Sequence, residues 1–552
     1  MQRREFLKTS AMAAGAVFAF GPRDLWSQSA EARIEVLLDE PIAQISPNLY
    51  GHFTEHIGGV IYDGVWVGKN SKIPNQSGIR SALIEHLRQI HAPIIRWPGG
   101  CFADSYDWRD GIGTENERPR RTNFWETEPD AAKLHEKGPQ IFESNEFGTN
   151  EFVQFCRLSG AEPYIAANLR SLSALDFDHW VEYCNSPAGS TTLAEKRRTQ
   201  GYSEPFNVRY WGVGNESWGC GGNFTPEEYA SEFRRFTTWI PRYGVDLELI
   251  GSGPSDDDID WTHRFFEKLY ADHRYSNPSF TGWSVHHYSW NLSRGKNQDW
   301  IAAKGDSLRF DAVDWYELLN EARHIERIIT DQWAVMGEYD LEHRIKLVVD
   351  EYGPWYREGS ELDQSHIFGQ QITMRDALAT ALTLDTFNRN ADKVSLAACA
   401  QLVNNLNALF LAHGDQFIST PNFHVFSLYS GHQGAQALRA EFLTPPIRYS
   451  RDGKSASFWG LAGSASQHGK IVSVTVVNPD LGNPKLTEIA MPGASINSAS
   501  GNVLAAHDVH DHNTFEQPDN VRPRKLDVTV ITGLVRVTLP AASVSRIDIE
   551  LK

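Results

Sequence analysis

The chain has 552 residues, more than a single hydrophobic core usually accommodates, so at least two domains are expected. Its 52 Lys and Arg against 70 Asp and Glu give a formal charge of −18, which argues against general nucleic-acid binding because that binding needs cationic patches. Apolar residues make up 41% and charged residues 22%, the balance of a folded protein, and the acidity favours a neutral substrate.

The first segment is typical of a removable targeting peptide. The pair Arg3-Arg4 precedes an apolar run over residues 11–20 and a stretch of small residues. The run is too short for a membrane span, which needs about 20 residues. Residues 1–32 resemble a twin-arginine signal peptide, so we expect an exported protein, periplasmic or secreted, with no membrane span.

Eight short apolar runs then alternate with segments of helical periodicity. The runs cover residues 48–53, 92–97, 162–168, 207–213, 247–252, 281–287, 345–349 and 394–402. Short, continuously apolar runs are typical of buried parallel strands, and their alternation with helix-like stretches predicts an α/β fold. Eight such units over residues 46–433 fit a (β/α)₈ TIM barrel. An open doubly wound sheet is the alternative, although no G-x-G-x-x-G opens a helix.

The pattern of the sequence changes after residue 433. Helical periodicity ends, and short β-rich runs separated by Pro, Gly and Asn follow at 471–477, 526–531, 535–539 and 545–551. This pattern predicts a C-terminal antiparallel β-sandwich, jelly-roll-like, over residues 434–552. An isolated early strand within residues 33–45 is predicted to join it, because that strand precedes the barrel.

Polar residues stand at the ends of seven of the eight runs, all but the fifth, where a parallel barrel places its active site. They are Glu55, His56, Cys101, Asp104, Asn168, Asn215, Glu216, His286, His287, Tyr288, Asp350, Glu351, Gln401, Asn404 and Asn405. Glu216 and Glu351 each end an apolar run and precede aromatic residues. Strand-end solvation would explain either one alone. Two facing carboxyl groups suit glycoside hydrolysis, in which one protonates the leaving oxygen and the other stabilises the positive ring carbon.

Other chemistries have less support. The chain has no G-x-S-x-G elbow and no Walker motif. His52 to His56 matches the zinc-protease pattern H-x-x-E-H, but Pro47 and Gly58-Gly59 leave no room for the helix that this chemistry needs. The five cysteines include no C-x-x-C spacing, so a thiolate zinc site is not expected. We predict no metal and no cofactor.

Five blocks occur in order along the chain: GHFTEHIGG (51–59), IIRWPGGCFADSYDWRDGIG (94–113), YWGVGNESWGCGGN (210–223), VDEYGPW (349–355) and AQLVNNLNALF (400–410). Together they resemble the α-L-arabinofuranosidases of glycoside hydrolase family 51. The resemblance implies a TIM barrel with a β-sandwich. It also implies a retaining, exo-acting enzyme that removes terminal non-reducing α-L-arabinofuranosyl residues from arabinoxylan, arabinan or derived oligosaccharides by double displacement.

The same resemblance implies roles for the residues at the strand ends. Glu216 would be the general acid/base and Glu351 the nucleophile, with Asn215 binding the 2-hydroxyl of the sugar. Glu55 and Gln401 would hold other sugar hydroxyls.

Further implied roles concern the surroundings of the two glutamates. Tyr288 would contact the nucleophile, and Arg96 would support the site electrostatically. Cys101 stands where many members have asparagine and is predicted to line the sugar pocket. A disulfide between Cys101 and Cys220 across the pocket rim is a hypothesis.

Two other functions stay open at this point. One alternative is an endo-β-glucanase or xylanase on the same scaffold. The other is a catalytically inactive carbohydrate-binding protein. The resemblance also implies a possible homo-oligomer, a hexamer, and suggests that residues 115–147, which include Trp125, form a long loop that shapes the pocket.

Overall fold

The computed structural model describes residues 30–126, 142–271, 280–290, 304–362, 366–451 and 453–552. Nearly all of the predicted signal peptide lies outside these ranges, as do residues 127–141 of the predicted long loop. Among the described helices, none is both long and apolar enough to cross a membrane.

Eight parallel strands close into a barrel, and each of the eight predicted runs overlaps one of them. In chain order these barrel strands are Gly51–Phe53, Ile94–Trp97, Glu162–Ala167, Tyr210–Val213, Glu248–Gly251, Gly282–Ser289, Lys346–Pro354 and Val394–Ala400. The eighth strand pairs with the first, with Cys399 opposite His52, so the sheet has no open edge. The predicted TIM barrel is confirmed, and the open doubly wound alternative is wrong.

Helices connect and cover the strands. The described α-helices are Ser81–Gln89, Thr149–Ser159, Ala174–Asn185, Thr192–Thr199, Pro226–Thr237, Ile259–Ala271, Ala312–Gly337, Met374–Arg389 and Pro421–Tyr429. The helix after the fourth strand shows how sequence sets its limits. The Thr225 hydroxyl caps the first turn by accepting from the Glu228 amide, with proline next in the chain, and Tyr229 and Phe233 bury the inner face.

Ten strands form a second, sheet-rich domain. They are Ala32–Gln44, Gln436–Leu443, Ala462–His468, Ile471–Asn478, Lys485–Ala490, Ile496–Leu504, Arg524–Leu526, Val528–Ile531, Leu534–Leu539 and Ser543–Leu551. The sheet curls on itself, because Gly501 near one edge lies against Val528 at the other. Four two-stranded antiparallel sheets complete the described strands: Asn75–Gln76 with Ile79–Arg80, Arg121–Thr122 with Phe142–Glu143, Phe410–His413 with Gln416–Ser419, and Ile447–Arg451 with Lys454–Phe458.

One pairing in the sheet-rich domain departs from the predicted antiparallel arrangement. The strand Ala32–Gln44 runs antiparallel to Gln436–Leu443 but parallel to Lys485–Ala490. It comes from the other end of the chain, so no hairpin turn dictates its direction.

The helix Met374–Arg389 packs between the barrel and the sheet-rich domain. Its buried Asp385 accepts hydrogen bonds from Tyr429, Ser464 and Thr475. Burial raises the pKa of Asp385 to about 6, against the lowering effect of these donors. Asn388, on the same helix, also donates to Ser464 at 3.0 Å, so buried polar contacts join the two domains here.

Candidate active site

A pocket of about 400 Å³ opens at the carboxyl ends of the barrel strands. The eight residues predicted for the site come together there: Glu55, Arg96, Cys101, Asn215, Glu216, Tyr288, Glu351 and Gln401. Their strands are separated widely in sequence, and barrel closure alone brings their ends to one mouth.

Two carboxyl groups face each other across this pocket. Glu351 lies within the seventh strand, and Glu216 lies three residues after the end of the fourth, with a backbone φ of 38°. A carboxylate oxygen of each lies within 4.8 Å of the other. Retaining glycosidases keep their two carboxyl groups about 5–5.5 Å apart, so this spacing suits direct attack on the sugar by one of them.

Arg96, on the second strand, ties three of the site residues together. Its Nη1 donates to Oε1 of Glu351 at 2.7 Å, and its Nη2 donates to Oδ1 of Asn215 at 2.7 Å. Its Nε lies 3.3 Å from Oδ2 of the buried Asp350. Burial opposes ionisation of Asp350, but Arg96, His286 and Ser284 outweigh it and lower the pKa of Asp350.

His286, at the end of the sixth strand, bridges the carboxyl groups and was not assigned a role from sequence. Its Nδ1 lies 3.0 Å from Oε1 of Glu216 and 3.6 Å from Oε2 of Glu351, while Nε2 lies 3.2 Å from Oδ1 of Asp350. Burial lowers the pKa of His286, but the surrounding carboxylates raise it more, to about 10. The ring is therefore an imidazolium at neutral pH.

Glu55 and Gln401 form the floor of the pocket beside Glu351. Glu55 Oε1 accepts from the amides of Gly100 and Phe102 at 3.1 Å each, and its Oε2 accepts from Gln401 at 2.9 Å. Burial, with the charge of Glu351 nearby, raises the pKa of Glu55 to about 8. Glu55 thus holds a proton near neutral pH.

Tyr288 completes the contacts of Glu351 from the sixth strand. Its hydroxyl donates to Oε2 of Glu351 at 2.8 Å. With Arg96 on the other oxygen, both carboxylate oxygens of Glu351 are held in place.

Cys101 and Cys220 form a disulfide at the pocket rim, with the two Cα atoms 5.5 Å apart. The Sγ atoms of Cys220 and Cys101 lie 3.5 and 3.8 Å from Oε2 of Glu216. The hypothesised pairing is present, and Cys101 lines the pocket as expected. The bond fastens the loop after the second strand to the loop after the fourth.

Asp104 is a supporting residue whose only sequence signal was its place after a strand. Its Oδ2 accepts from the Asn215 amide at 3.0 Å, and its Oδ1 accepts from the amides of Leu169 and Arg170. Burial raises the pKa of Asp104 to about 7 despite these hydrogen bonds. Asp104 therefore fixes the turn that carries Asn215 and Glu216.

The two histidines of the H-x-x-E-H pattern do not converge on a metal site. His52 lies on a strand and is buried against Phe426. His56 donates from Nδ1 to Glu143 at 2.8 Å and accepts at Nε2 from Trp97 at 2.9 Å.

The described part of the loop 115–147 reaches the pocket. Trp125 lines the pocket wall, and Glu143, near the far end of the loop, is held by His56, the neighbour of Glu55. The Asn123 side chain donates to the His56 carbonyl at 3.0 Å. The loop is thereby anchored next to the pocket floor.

Comparison with known proteins gives a consistent result. Models described as "Alpha-L-arabinofuranosidase 1 domain" and "Alpha-L-arabinofuranosidase C-terminal domain" match residues 86–294 and 350–543. An intracellular exo-α-L-arabinofuranosidase of Bacteroides ovatus is 34% identical over 95% of this chain and 96% of its own length. An intracellular exo-α-(1→5)-L-arabinofuranosidase of Acetivibrio thermocellus is 30% identical over 68% of this chain and 70% of its own. The crystal structure of a GH51 arabinofuranosidase from Xanthomonas axonopodis pv. citri superposes with a TM-score of 0.86, at 35% identity, covering 95% of this chain and 100% of that one.

These relatives contradict the predicted location. The enzymes from B. ovatus and A. thermocellus are both described as intracellular, so the prediction of a periplasmic or secreted protein is wrong. That prediction depended on a basic pair before a short apolar run, a pattern brief enough to arise by chance at an amino end.

The closed barrel, the sheet-rich domain, the two facing glutamates and the extent of these matches agree. The chain is a glycoside hydrolase and belongs to the α-L-arabinofuranosidases of glycoside hydrolase family 51.

Proposed function

We propose that this enzyme removes terminal non-reducing α-L-arabinofuranosyl residues from arabinoxylan, arabinan or derived oligosaccharides, with retention of configuration. The proximity of Glu216 and Glu351, within 4.8 Å, is the observation that carries the retaining mechanism. The exo action is supported by the two relatives described as exo-acting enzymes.

In the first step Glu351 attacks the anomeric carbon of the arabinofuranose, forming a covalent ester as the glycosidic C–O bond breaks. Arg96 and Tyr288 donate to the two oxygens of Glu351 and hold its carboxylate in one orientation for this attack. Glu216 gives its proton to the departing oxygen, which leaves as a hydroxyl group of the remaining saccharide.

In the second step Glu216, now a carboxylate, takes a proton from water. That water attacks the same carbon, and the ester bond to Glu351 breaks. The His286 imidazolium lies between both glutamates and Asp350, and its charge offsets the accumulated negative charge of the site throughout.

Sugar binding is assigned to the residues around these two. Asn215, held by Arg96, is placed to bind the 2-hydroxyl. Glu55 and Gln401 would bind other hydroxyls of the ring, and Cys101 contributes an apolar contact through its disulfide.

The deciding experiment measures p-nitrophenol release from its α-L-arabinofuranoside by the wild type and by Glu351→Ala with added azide. We expect wild-type activity, a loss of at least 10⁴-fold in the variant, and rescue that yields an arabinosyl azide of inverted configuration. Glu248→Ala is the matched control, because Glu248 begins the fifth barrel strand at the opposite end and pairs with Arg209.

Other outcomes would assign a different function. A wild type silent on this substrate but active inside xylo- or cello-oligosaccharides would favour an endo-acting enzyme, a reading that the relatives do not support. Silence on all of them would leave a carbohydrate-binding protein. The hexamer implied by the family resemblance stays a prediction, which light scattering of the purified protein tests.

A further inference from the structure

The pocket continues beyond the predicted sugar site into an outer part with a polar wall. Glu351, Gln401 and Glu55 come from the seventh, eighth and first strands, which are neighbours in the barrel. The outer part is lined instead from the fourth to sixth strands and the helix that follows. Its lining residues are Trp218, Ser255, Asp256, His287, Trp290, Glu321 and His324.

The position of Glu216 tells which part of a substrate this outer wall meets. Glu216 is proposed to protonate the departing oxygen, so the leaving group must extend past it, away from the pocket floor. Glu216 follows the fourth strand, and the outer wall begins on the strands next to it. The outer wall therefore faces the saccharide that leaves.

Asp256, on this wall, has a carboxylate that a hydrogen bond from a buried histidine holds in one orientation. Its Oδ1 accepts from Nδ1 of the buried His287 at 2.9 Å, while Nε2 of the same ring donates to the Glu321 carbonyl at 2.7 Å. Both ring nitrogens are thus used in holding one orientation. Burial would lower the pKa of His287, but the hydrogen bond to Asp256 and the charge of that carboxylate raise it.

The other oxygen of Asp256 is open to the pocket. Within the described residues Oδ2 accepts no hydrogen bond from protein, and the side chain is 56% exposed. The backbone of Asp256 has a φ of 48°, a left-handed conformation that is uncommon outside glycine and is kept where the surroundings fix it. A fixed carboxylate in a pocket that Trp218 and Trp290 also line suits a sugar, whose hydroxyls donate and whose ring face is apolar.

We propose that Asp256, oriented by His287, is a specificity-determining residue that accepts hydrogen bonds from hydroxyls of the leaving-group saccharide. This inference rests on the proposed role of Glu216. It assigns to Asp256 the discrimination between a sugar leaving group and one without hydroxyls. A site built to hydrogen-bond a hydroxyl rejects an analogue that lacks it, because the polar group is then left unpaired.

The test compares kcat/KM on three substrates: p-nitrophenyl α-L-arabinofuranoside, α-(1→5)-linked arabinobiose and an arabinofuranosyl-substituted xylobiose. This constant covers all steps up to departure of the leaving group. Asp256→Ala is expected to lower kcat/KM on at least one oligosaccharide ten times more than on the aryl glycoside. The oligosaccharide whose kcat/KM falls more shows whether Asp256 contacts a furanose, as in arabinobiose, or a pyranose, as in xylobiose.

Asp257→Ala is the matched control. Asp257 is the adjacent carboxylate, lies outside the pocket lining and faces Arg327 at 3.3 Å, so its loss should leave the ratio between substrates unchanged. Asp256→Asn, which keeps the size of the side chain, should show a smaller selective loss. Asp256→Asn also provides the test of the proposal if the alanine variant does not fold.

Three results would overturn the proposal. They are an equal loss on all three substrates, a loss below threefold on both oligosaccharides, or the same selectivity change in Asp257→Ala. Failure of the proposed function itself looks different, because the wild type would then be inactive on the aryl glycoside.

Discussion

Replacing Arg96 by lysine is expected to lower kcat/KM by two to four orders of magnitude while the protein still folds. Arg96 holds Glu351 and Asn215 at 2.7 Å each and lies 3.3 Å from Asp350, and its planar guanidinium serves all three at once. An ammonium group is a single point of charge and can keep one of these partners in place.

The magnitude follows from the contacts that are lost. A hydrogen bond to a charged group contributes about 1.5–3 kcal/mol, so losing two costs about 3–6 kcal/mol. Since about 1.4 kcal/mol corresponds to a factor of ten in rate, kcat/KM should fall by roughly 10²–10⁴. The side chain is almost wholly buried, so solvent does not compensate.

The assay is p-nitrophenol release over a range of substrate concentrations, with thermal unfolding of each variant as the check on folding. Arg197→Lys is the matched control, because this buried arginine donates to the carbonyls of Tyr183 and Ser186 on the helical layer, away from the pocket. A loss below tenfold for Arg96→Lys, or an equal loss for Arg197→Lys, would show that the paired contacts of the guanidinium do not determine kcat/KM.

Three further predictions concern the rim, the floor and the domain contact. Thiol titration of the denatured, unreduced protein should find three thiols, at Cys156, Cys184 and Cys399, and five after reduction; five before reduction would exclude the disulfide. Gly100→Ala should reduce kcat/KM at least 100-fold, because the added methyl would lie 2.5 Å from Oε1 of Glu351, whereas Gly219→Ala, whose nearest contact is 3.7 Å, should retain activity. Burial raises the pKa of Asp385 to about 6, so the protonated carboxyl group stabilises the fold fully below its ordinary pKa, and this stabilisation is lost as pH rises through 6. In urea unfolding, the free energy of unfolding of the wild type should fall by about 3 kcal/mol between pH 4 and 7 for this reason. Asp385→Asn should not show this fall.

The barrel and its glutamates could be predicted from the sequence because local pattern and global fold agree there. Each buried strand reads as a short apolar run, and its end is marked by an abrupt change to polar residues. Glu216 and Glu351 follow that rule, so the topology alone places them at one mouth.

Contacts between distant segments could not be predicted in this way. His286 stood among the strand-end residues, but its role depends on three carboxyl groups that the fourth and seventh strands bring to it. The pairing of Glu143 with His56 joins two loops whose meeting leaves no periodic trace. The parallel pairing of Ala32–Gln44 likewise depends on how the sheet curls, which composition does not reveal.

The strand Ala32–Gln44 has a consequence for the order in which the molecule assembles during synthesis. It leaves the ribosome before the barrel, yet Gln44 meets its partner Gly434, 390 residues later in the chain. At about 5–20 residues per second the strand waits roughly 20–80 seconds with both edges unpaired. During that interval the backbone N–H and C=O groups of this segment lack the partners that they have in the folded protein, and we expect slower elongation to lengthen the period in which they are open to pairing with another chain.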